Sequence, residues 1–406
     1  MRVVKIPVQT YQQPAQKPKR KPNAMWPLGI ALALVVVQLL RPVPSPFVKL
    51  SVPATIPPES TALALPTYGQ AAVAAKGYGI LGTSGAQEQL STASIAKVIT
   101  ALCVLERKPI KPGEKGPMLL MTRADVDFFK AEIEHNGSRV DVYEGQKMSE
   151  YQAIQALMIP SANNIANTLA VWAFGSLDSY RSYANNYVMR QGLVNTRIGA
   201  DASGYDPTTV SSASDLTRLG LLVEANPVLL EIAAQTEATF PLAGTMTNYN
   251  SLLGQHGITG LKTGNNEQNP GAFLMTGAFQ VAGQKVQYSG AVMGADSLSE
   301  ALASSSQLAA SLPSNFENRI IFKTNQTVGT YHTVWGARGE LTASRDLSLV
   351  RWKDDAIKMT LQTPEKNSSL APPALTVKSG SQTHTVPLKY KQPPARPTWW
   401  WRLTRL

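Results

Sequence analysis

In the stretch STASIAKVIT, Ser91 to Thr100, a serine and a lysine stand three residues apart inside an otherwise apolar run. If the run is helical, Ser94 and Lys97 share one face, and the amine reaches the hydroxyl. A serine hydroxyl becomes a competent nucleophile only when a base takes its proton, and a lysine is that base only when neutral. Burial and nearby positive charge both favour the neutral amine. The positive end of the helix would favour an oxyanion forming at Ser94. Such a pair arises by chance about once or twice in a chain of this length, so it carries nothing alone.

Two later stretches add partners. In MIPSANNIAN, Ser161 and Asn163 follow Pro160 in a break between two helical segments. A loop serine can relay a proton and an amide can hold a peptide backbone, although a helix N-cap would explain this triplet by itself. In GLKTGNNEQNPGAF, Lys262, Thr263 and Gly264 precede a hairpin and are expected on an edge strand lining a cleft. A lysine and a threonine hydroxyl there can grip a carboxylate, and glycine lets a substrate approach the backbone. Alone, Lys262 reads as an exposed lysine near a turn.

The elements needed to position these residues are legible. After Ser94, Ile95, Val98, Ile99, Leu102 and Leu105 recur at helical spacing. SEYQAIQALMI and NNIANTLAVWAF predict two helices separated at Pro160, and SASDLTRLGLLVEA predicts another with Ser and Asp at its N-cap. AAVAAKGYGIL predicts a hairpin near Gly77, and GAFLMTGAFQVAGQKVQYSGAVMG a hairpin turning at Gly283 and Gln284. Residues 67–312 are therefore expected to form one mixed α/β (α+β) domain. Short alternating runs over 316–391 predict a separate small β domain.

The formal charge of +11 is confined to the ends. Residues 1–22 carry six Lys or Arg and residues 386–406 carry five; without these, basic and acidic residues balance at 27 each. That distribution suits an anionic membrane surface better than a nucleic-acid groove. An uncharged run from Ala24 to Leu40 follows a basic cluster, which predicts a transmembrane signal-anchor with residues 1–23 in the cytoplasm and the rest outside. A cleaved signal peptide is the competing reading, disfavoured because RPVPSPF follows directly. Prolines 42, 44, 46, 53, 57, 58 and 66 predict a stiff spacer over 41–66. Trp399 to Trp401 beside Arg402 and Arg405 predict an interfacial tail over 392–406. The single Cys103 excludes an internal disulfide, and four scattered histidines give no metal-ligand spacing.

Ser-x-x-Lys, then Ser-x-Asn 67 residues on, then Lys-Thr-Gly a further 101 on, is similar to the motif order of the penicillin-recognising serine enzymes. STASIAKVITAL, EGQKMSEYQAIQALMIPSANNIA, MRQGLVNTRIGADASGYDP and TNYNSLLGQHGITGLKTG extend the match. Over residues 66–312 the chain resembles the low-molecular-weight penicillin-binding proteins, the serine-type D-alanyl-D-alanine carboxypeptidases. The resemblance implies a β-lactamase/transpeptidase-like domain with a central antiparallel sheet flanked by helices. It implies Ser94 as the acylated nucleophile, Lys97 as its base and Ser161 as a proton shuttle. Asn163 would hold the substrate backbone, and Lys262 and Thr263 the terminal carboxylate of D-Ala-D-Ala or of a β-lactam. The N–H groups of Ser94 and Asn265 would form the oxyanion hole, with no cofactor and no metal. Where the family commonly shows an aromatic or histidine and then threonine, NNEQNPG follows here, Asn265-Asn266 first. A D,D-endopeptidase, a β-lactamase and a non-catalytic wall-binding module remain alternatives; no acidic motif between Asn163 and Lys262 suits rapid β-lactam hydrolysis.

Overall fold

The computed structural model describes residues 25–363 and 370–405. Its larger unit is built on a five-stranded antiparallel sheet. The strands are β1 (Gln70–Ala75), β2 (Gly79–Ser84), β3 (Ile258–Asn266), β4 (Asn269–Val281) and β5 (Gln284–Ala295), in spatial order β3-β4-β5-β1-β2. The two expected hairpins are β1–β2, turning through Gly77, and β4–β5, turning through Ala282 and Gly283. Side chains alternate between faces. Ala72, Leu274, Ala291 and Met293 enter one core, whereas Ala71, Val73, Phe273, Met275 and Val292 enter another. Both faces are therefore covered, and β3 is left as one edge.

The described helices are α1 (Met25–Leu40), α2 (Ala96–Arg107), α3 (Arg123–Glu134), α4 (Glu150–Met158), α5 (Asn163–Phe174), α6 (Leu177–Arg190), α7 (Ala213–Val223), α8 (Pro227–Ala233), α9 (Leu298–Ser311) and α10 (Trp399–Thr404). α2 is buried at every position from Ala96 to Leu105, because it runs through the middle of the helical layer. A helix so placed needs apolar groups all round; Lys97 is the exception. α4 starts on a Ser149–Gln152 capping box, and α3 on a Thr122–Asp125 box. Asp125 also accepts from Thr168 on α5 at 2.7 Å, tying α3 to α5. Against the opposite sheet face lie Ala301, Leu308 and Ala309 of α9.

A second, seven-stranded sheet runs in the order Phe47–Leu50, Thr327–His332, Arg338–Ala343, Gln382–Tyr390, Ala374–Ser379, Ile357–Gln362, Thr55–Ile56. Its core contains Val328, Leu341, Ile357, Leu375, Val377, Val386 and Leu388. Two of its strands come from the stretch expected to be a free spacer over 41–66, which corrects that expectation. Phe47–Leu50 pairs with Thr327–His332, and Thr55–Ile56 with Ile357–Lys358. Val48, Leu50, Val52 and Ile56 pack on the β core, so apolar contact outweighs the stiffness that proline supplies. Ala62 then exchanges both backbone groups with the Asn315 amide, at 2.8 and 2.9 Å.

α1 forms where the membrane anchor was expected. Its 16 residues rise about 24 Å, and among the described residues no helix is long and apolar enough to cross a membrane. The expected span over 24–40 coincides with this helix except for residue 24, which with the basic tail before it lies outside the described residues. The C-terminal tail packs back on this helix. Arg402 donates to the Leu39 carbonyl at 2.8 Å and Arg405 to the Arg41 carbonyl at 2.6 Å, while Trp401 meets Trp335 edge-on.

Candidate active site

Ser94 lies in a 3-10 turn, Ala93–Ile95, that continues directly into α2. Ala93 holds φ at +43°, and Ser161 at +61°. Non-glycine residues in that region cost about 1–3 kcal/mol each and persist where the surroundings impose them. One helical turn beyond the half-exposed Ser94, Lys97 is fully buried. Its Nζ lies 2.7 Å from Ser94 Oγ, 2.7 Å from Asn163 Oδ1 and 3.1 Å from the Ser203 carbonyl. Burial pushes the Lys97 ammonium down to about 7, against the opposing pull of Asp201 and Glu132. A neutral amine within reach of a serine hydroxyl is thus accessible near neutrality.

Ser161 occupies the break between α4 and α5, immediately after Pro160. Its Oγ is buried and makes no hydrogen bond among the described residues. Asn163 opens α5 and is nearly buried, its backbone N–H donating to the Ser138 carbonyl at 2.7 Å. Its amide is engaged at both ends, Oδ1 with Lys97 and Nδ2 with Glu132 Oε2 at 2.8 Å. The second Nδ2 hydrogen has no acceptor among the described residues.

Lys262, Thr263 and Gly264 lie on β3, the edge strand, as their place before a hairpin implies. Lys262 is buried, its Nζ donates to the Thr263 carbonyl at 3.1 Å, and burial followed by the charge of Lys97 pushes it well below the usual lysine range. Thr263 is buried beside it. A Cβ on Gly264 would sit 2.8 Å from the Thr92 carbonyl and 3.1 Å from Ile95 Cγ1. Glycine is required there because β3 closes on the Ser94 turn, a different reason from access for a substrate. A bulge between Gly264 and Asn266 takes Asn265 out of the β3–β4 register.

The segment after Lys-Thr-Gly has a structural role. Asn266 Nδ2 donates to Ser91 Oγ at 2.9 Å, and Asn269 Nδ2 donates to the Ser91 carbonyl at 2.8 Å. These bonds fasten the β3–β4 turn to the strand entering the nucleophile turn. Asn269, Glu132 and Ser203 escape sequence reasoning, and Asn266 stands out there only as a departure from the family's pattern, since their contacts join segments far apart in the chain. Asp201 accepts from the N–H groups of Ser203, Gly204 and Asp206 and so shapes the loop whose carbonyl meets Lys97.

Among solved structures, the chain is similar to penicillin-binding protein 5 from Haemophilus influenzae, at 18% identity, with a TM-score of 0.58 over 83% of this chain and 99% of that one. It is also similar to the Streptomyces K15 DD-transpeptidase, at 21% identity, with a TM-score of 0.52 over 63% of this chain and 98% of that one. At these identities the likeness shows the fold. No curated protein matches the chain. The family model for D-alanyl-D-alanine carboxypeptidase (Peptidase_S11) matches residues 71–297, a stretch that includes all three motifs. With more than half of its length in that match, this chain belongs to the D-alanyl-D-alanine carboxypeptidase family of serine hydrolases.

Proposed function

We propose that the enzyme releases the terminal D-alanine of peptidoglycan stem peptides through an acyl-enzyme on Ser94, and that β-lactams trap it at the same step. The observation that carries this reading is the 2.7 Å contact between Ser94 Oγ and a buried Lys97 whose pKa is brought to about 7. Lys97 takes the hydroxyl proton as Oγ attacks the penultimate carbonyl carbon. The N–H groups of Ser94 and Asn265 receive the oxyanion, each backbone donor contributing about 3 kcal/mol of transition-state stabilisation. Ser161, with its uncommitted hydroxyl, passes the proton to the departing D-alanine nitrogen. Lys262 and Thr263 bind the substrate carboxylate, Gly264 keeps their strand against the nucleophile turn, and Asn163 offers its remaining N–H to the substrate backbone. Water then cleaves the ester and returns Ser94.

Intact mass after incubation with benzylpenicillin, beside Ser94→Ala, tests this. One stable adduct on the wild type alone is the expected outcome; consumption of penicillin without a lasting adduct would make the enzyme a β-lactamase, and no reaction would leave a wall-binding module.

The enzyme is further proposed to be anchored in the cell membrane, with its catalytic unit on the extracytoplasmic side where peptidoglycan lies. Supporting this, α1 exposes Trp26, Leu28, Ile30, Leu32 and Leu34, which no core among the described residues covers, and α10 adds the exposed Trp399 and Trp400 at its end. Protease treatment of intact cells, followed by alkaline extraction of membranes, tests both statements. Release of the protein by alkali, or protection of the catalytic unit in intact cells, would overturn them.

A further inference from the structure

Glu132 is placed where the base network needs an acceptor. It lies in the last turn of α3, 8% exposed, and no residue of the three motifs neighbours it in sequence. Its Oε2 accepts from Asn163 Nδ2 at 2.8 Å, and the other end of the same amide meets Lys97 Nζ at 2.7 Å. An amide has one donating and one accepting end. A carboxylate that only accepts, on one side, dictates that the oxygen turns to the other. Glu132 thereby fixes which end of Asn163 faces Lys97.

The carboxylate is itself locked in place. Its own backbone carbonyl accepts from Gly137 N–H at 2.8 Å. A Cβ at Gly137 would sit 1.9 Å from Oε2 and 3.0 Å from Asn163 Nδ2, so the chain passes over the pair with room only for hydrogen. Burial raises the Glu132 carboxyl above its ordinary value, and the Asn163 hydrogen bond opposes this; the titratable groups that act on it are Lys97 from α2, Asp201 from the loop after α6, and His135 just beyond α3. When Ser94 attacks, its proton moves to Lys97 and an ammonium forms inside the protein. Asn163 Oδ1 and the Ser203 carbonyl accept from that ammonium, and the negative charge of Glu132 stands one amide behind it.

The geometry points to Glu132 as a positioning residue for acylation: through Asn163 it orients the acceptor of the Lys97 ammonium and compensates the charge formed there. This rests on the reading of Ser94 and Lys97 given above. No further reactant is needed, since the Ser94 proton goes to Lys97 and the Oγ electron pair to the carbonyl carbon.

The test uses the full chain in detergent, with nitrocefin and a fluorescent penicillin as acylating probes. Wild type and Ser94→Ala come first; if the wild type is not acylated, the reading of Ser94 falls before Glu132 is tested. Glu132→Ala should slow acylation by about tenfold or more, as loss of alignment in a catalytic network does, and leave deacylation unchanged. Glu132→Gln retains an acceptor for Asn163 but no charge. It should recover most of the plateau rate, while the acid limb of its pH profile moves to lower pH, because one negative charge less favours neutral Lys97. Normal acylation in Glu132→Ala overturns the proposal. So does a loss confined to deacylation, or a Glu132→Gln profile superimposable on wild type. If Glu132→Ala fails to fold, the Glu132→Gln profile decides alone.

Discussion

Lys97 and Arg351 are both fully buried cations, and their surroundings differ in kind. Lys97 Nζ meets a hydroxyl, an amide oxygen and a backbone carbonyl, all neutral. Arg351 meets two carboxylates, Glu317 at 2.9 Å and Glu59 at 2.5 Å, and donates to the Asp355 carbonyl at 2.8 Å. Neutral acceptors do not repay the desolvation of a charge, so the Lys97 proton is loosely held. Carboxylates do repay it, and a guanidinium has no neutral form to retreat to. One buried cation can thereby give up its proton and serve as a base near neutrality. The other is a tie, and it joins Glu59, from the segment ahead of the catalytic unit, to the strands Phe316–Phe322 and Leu347–Trp352.

The widest separation between the two should come from replacing each by methionine. Lys97→Met removes the base and also removes a poorly compensated buried charge. Acylation by benzylpenicillin should fall by about 10²–10⁴-fold, the span of a general base, with no loss of thermal stability. An unimpaired rate in this variant would end the assignment of Lys97 as base. Next in size is the pH dependence of the wild type. With Lys97 near 7, the amine is protonated below that pH and the acylation rate should drop about tenfold per unit, to about one-hundredth of its plateau at pH 5. Stopped-flow acylation across pH 5–9 measures this; a flat profile would place the base elsewhere.

Arg351→Met reverses the pattern. It leaves Glu317 and Glu59 unpaired, and breaking a buried ion pair costs about 3–5 kcal/mol at full burial. Glu59 and Glu317 are partly exposed, so the expected loss is nearer about 2–3 kcal/mol, read by chemical denaturation. Acylation of the folded fraction should be unchanged. A variant that loses activity and keeps its stability would show that the tie reaches the active site.

The same contrast explains what could be seen in the chain beforehand. Ser94, Lys97, Ser161, Asn163 and the Lys262–Gly264 triplet are legible because each group is local, three or four residues with a chemical reason for their spacing. The helices beside them are legible from periodicity. Glu132 and Asn163 are 31 residues apart and Arg351 and Glu59 are 292 apart, and no local pattern announces such contacts. The strand Thr55–Ile56 has two residues, too few for an alternation, and seven prolines around it suggested a spacer instead. Gly264 was visible as glycine, but its reason, the approach of β3 to Thr92, exists only once sheet and helix are docked.

A third buried ionisable group sharpens the comparison from the acidic side, with the smallest effect. Glu150 opens α4, is fully buried, and neither of its carboxyl oxygens makes a hydrogen bond among the described residues. Burial pushes its pKa up from 4.5 to about 7, with Lys108 pulling the other way. Like Lys97 it is poorly compensated, and so it leans to its neutral form. The folded state then holds a proton that the unfolded state releases above pH 4.5. Stability must therefore fall as pH rises from about 4.5 to about 7 and stay reduced above it. Glu150→Gln keeps the shape and cannot ionise, so it should stabilise the protein by about 2 kcal/mol at pH 8 and by almost nothing at pH 4.5. Urea denaturation of both proteins at the two pH values measures the difference. Equal stabilities at pH 8 would mean that water or a cation compensates Glu150 after all, and that its burial, unlike that of Lys97 among neutral acceptors, leaves its charge compensated.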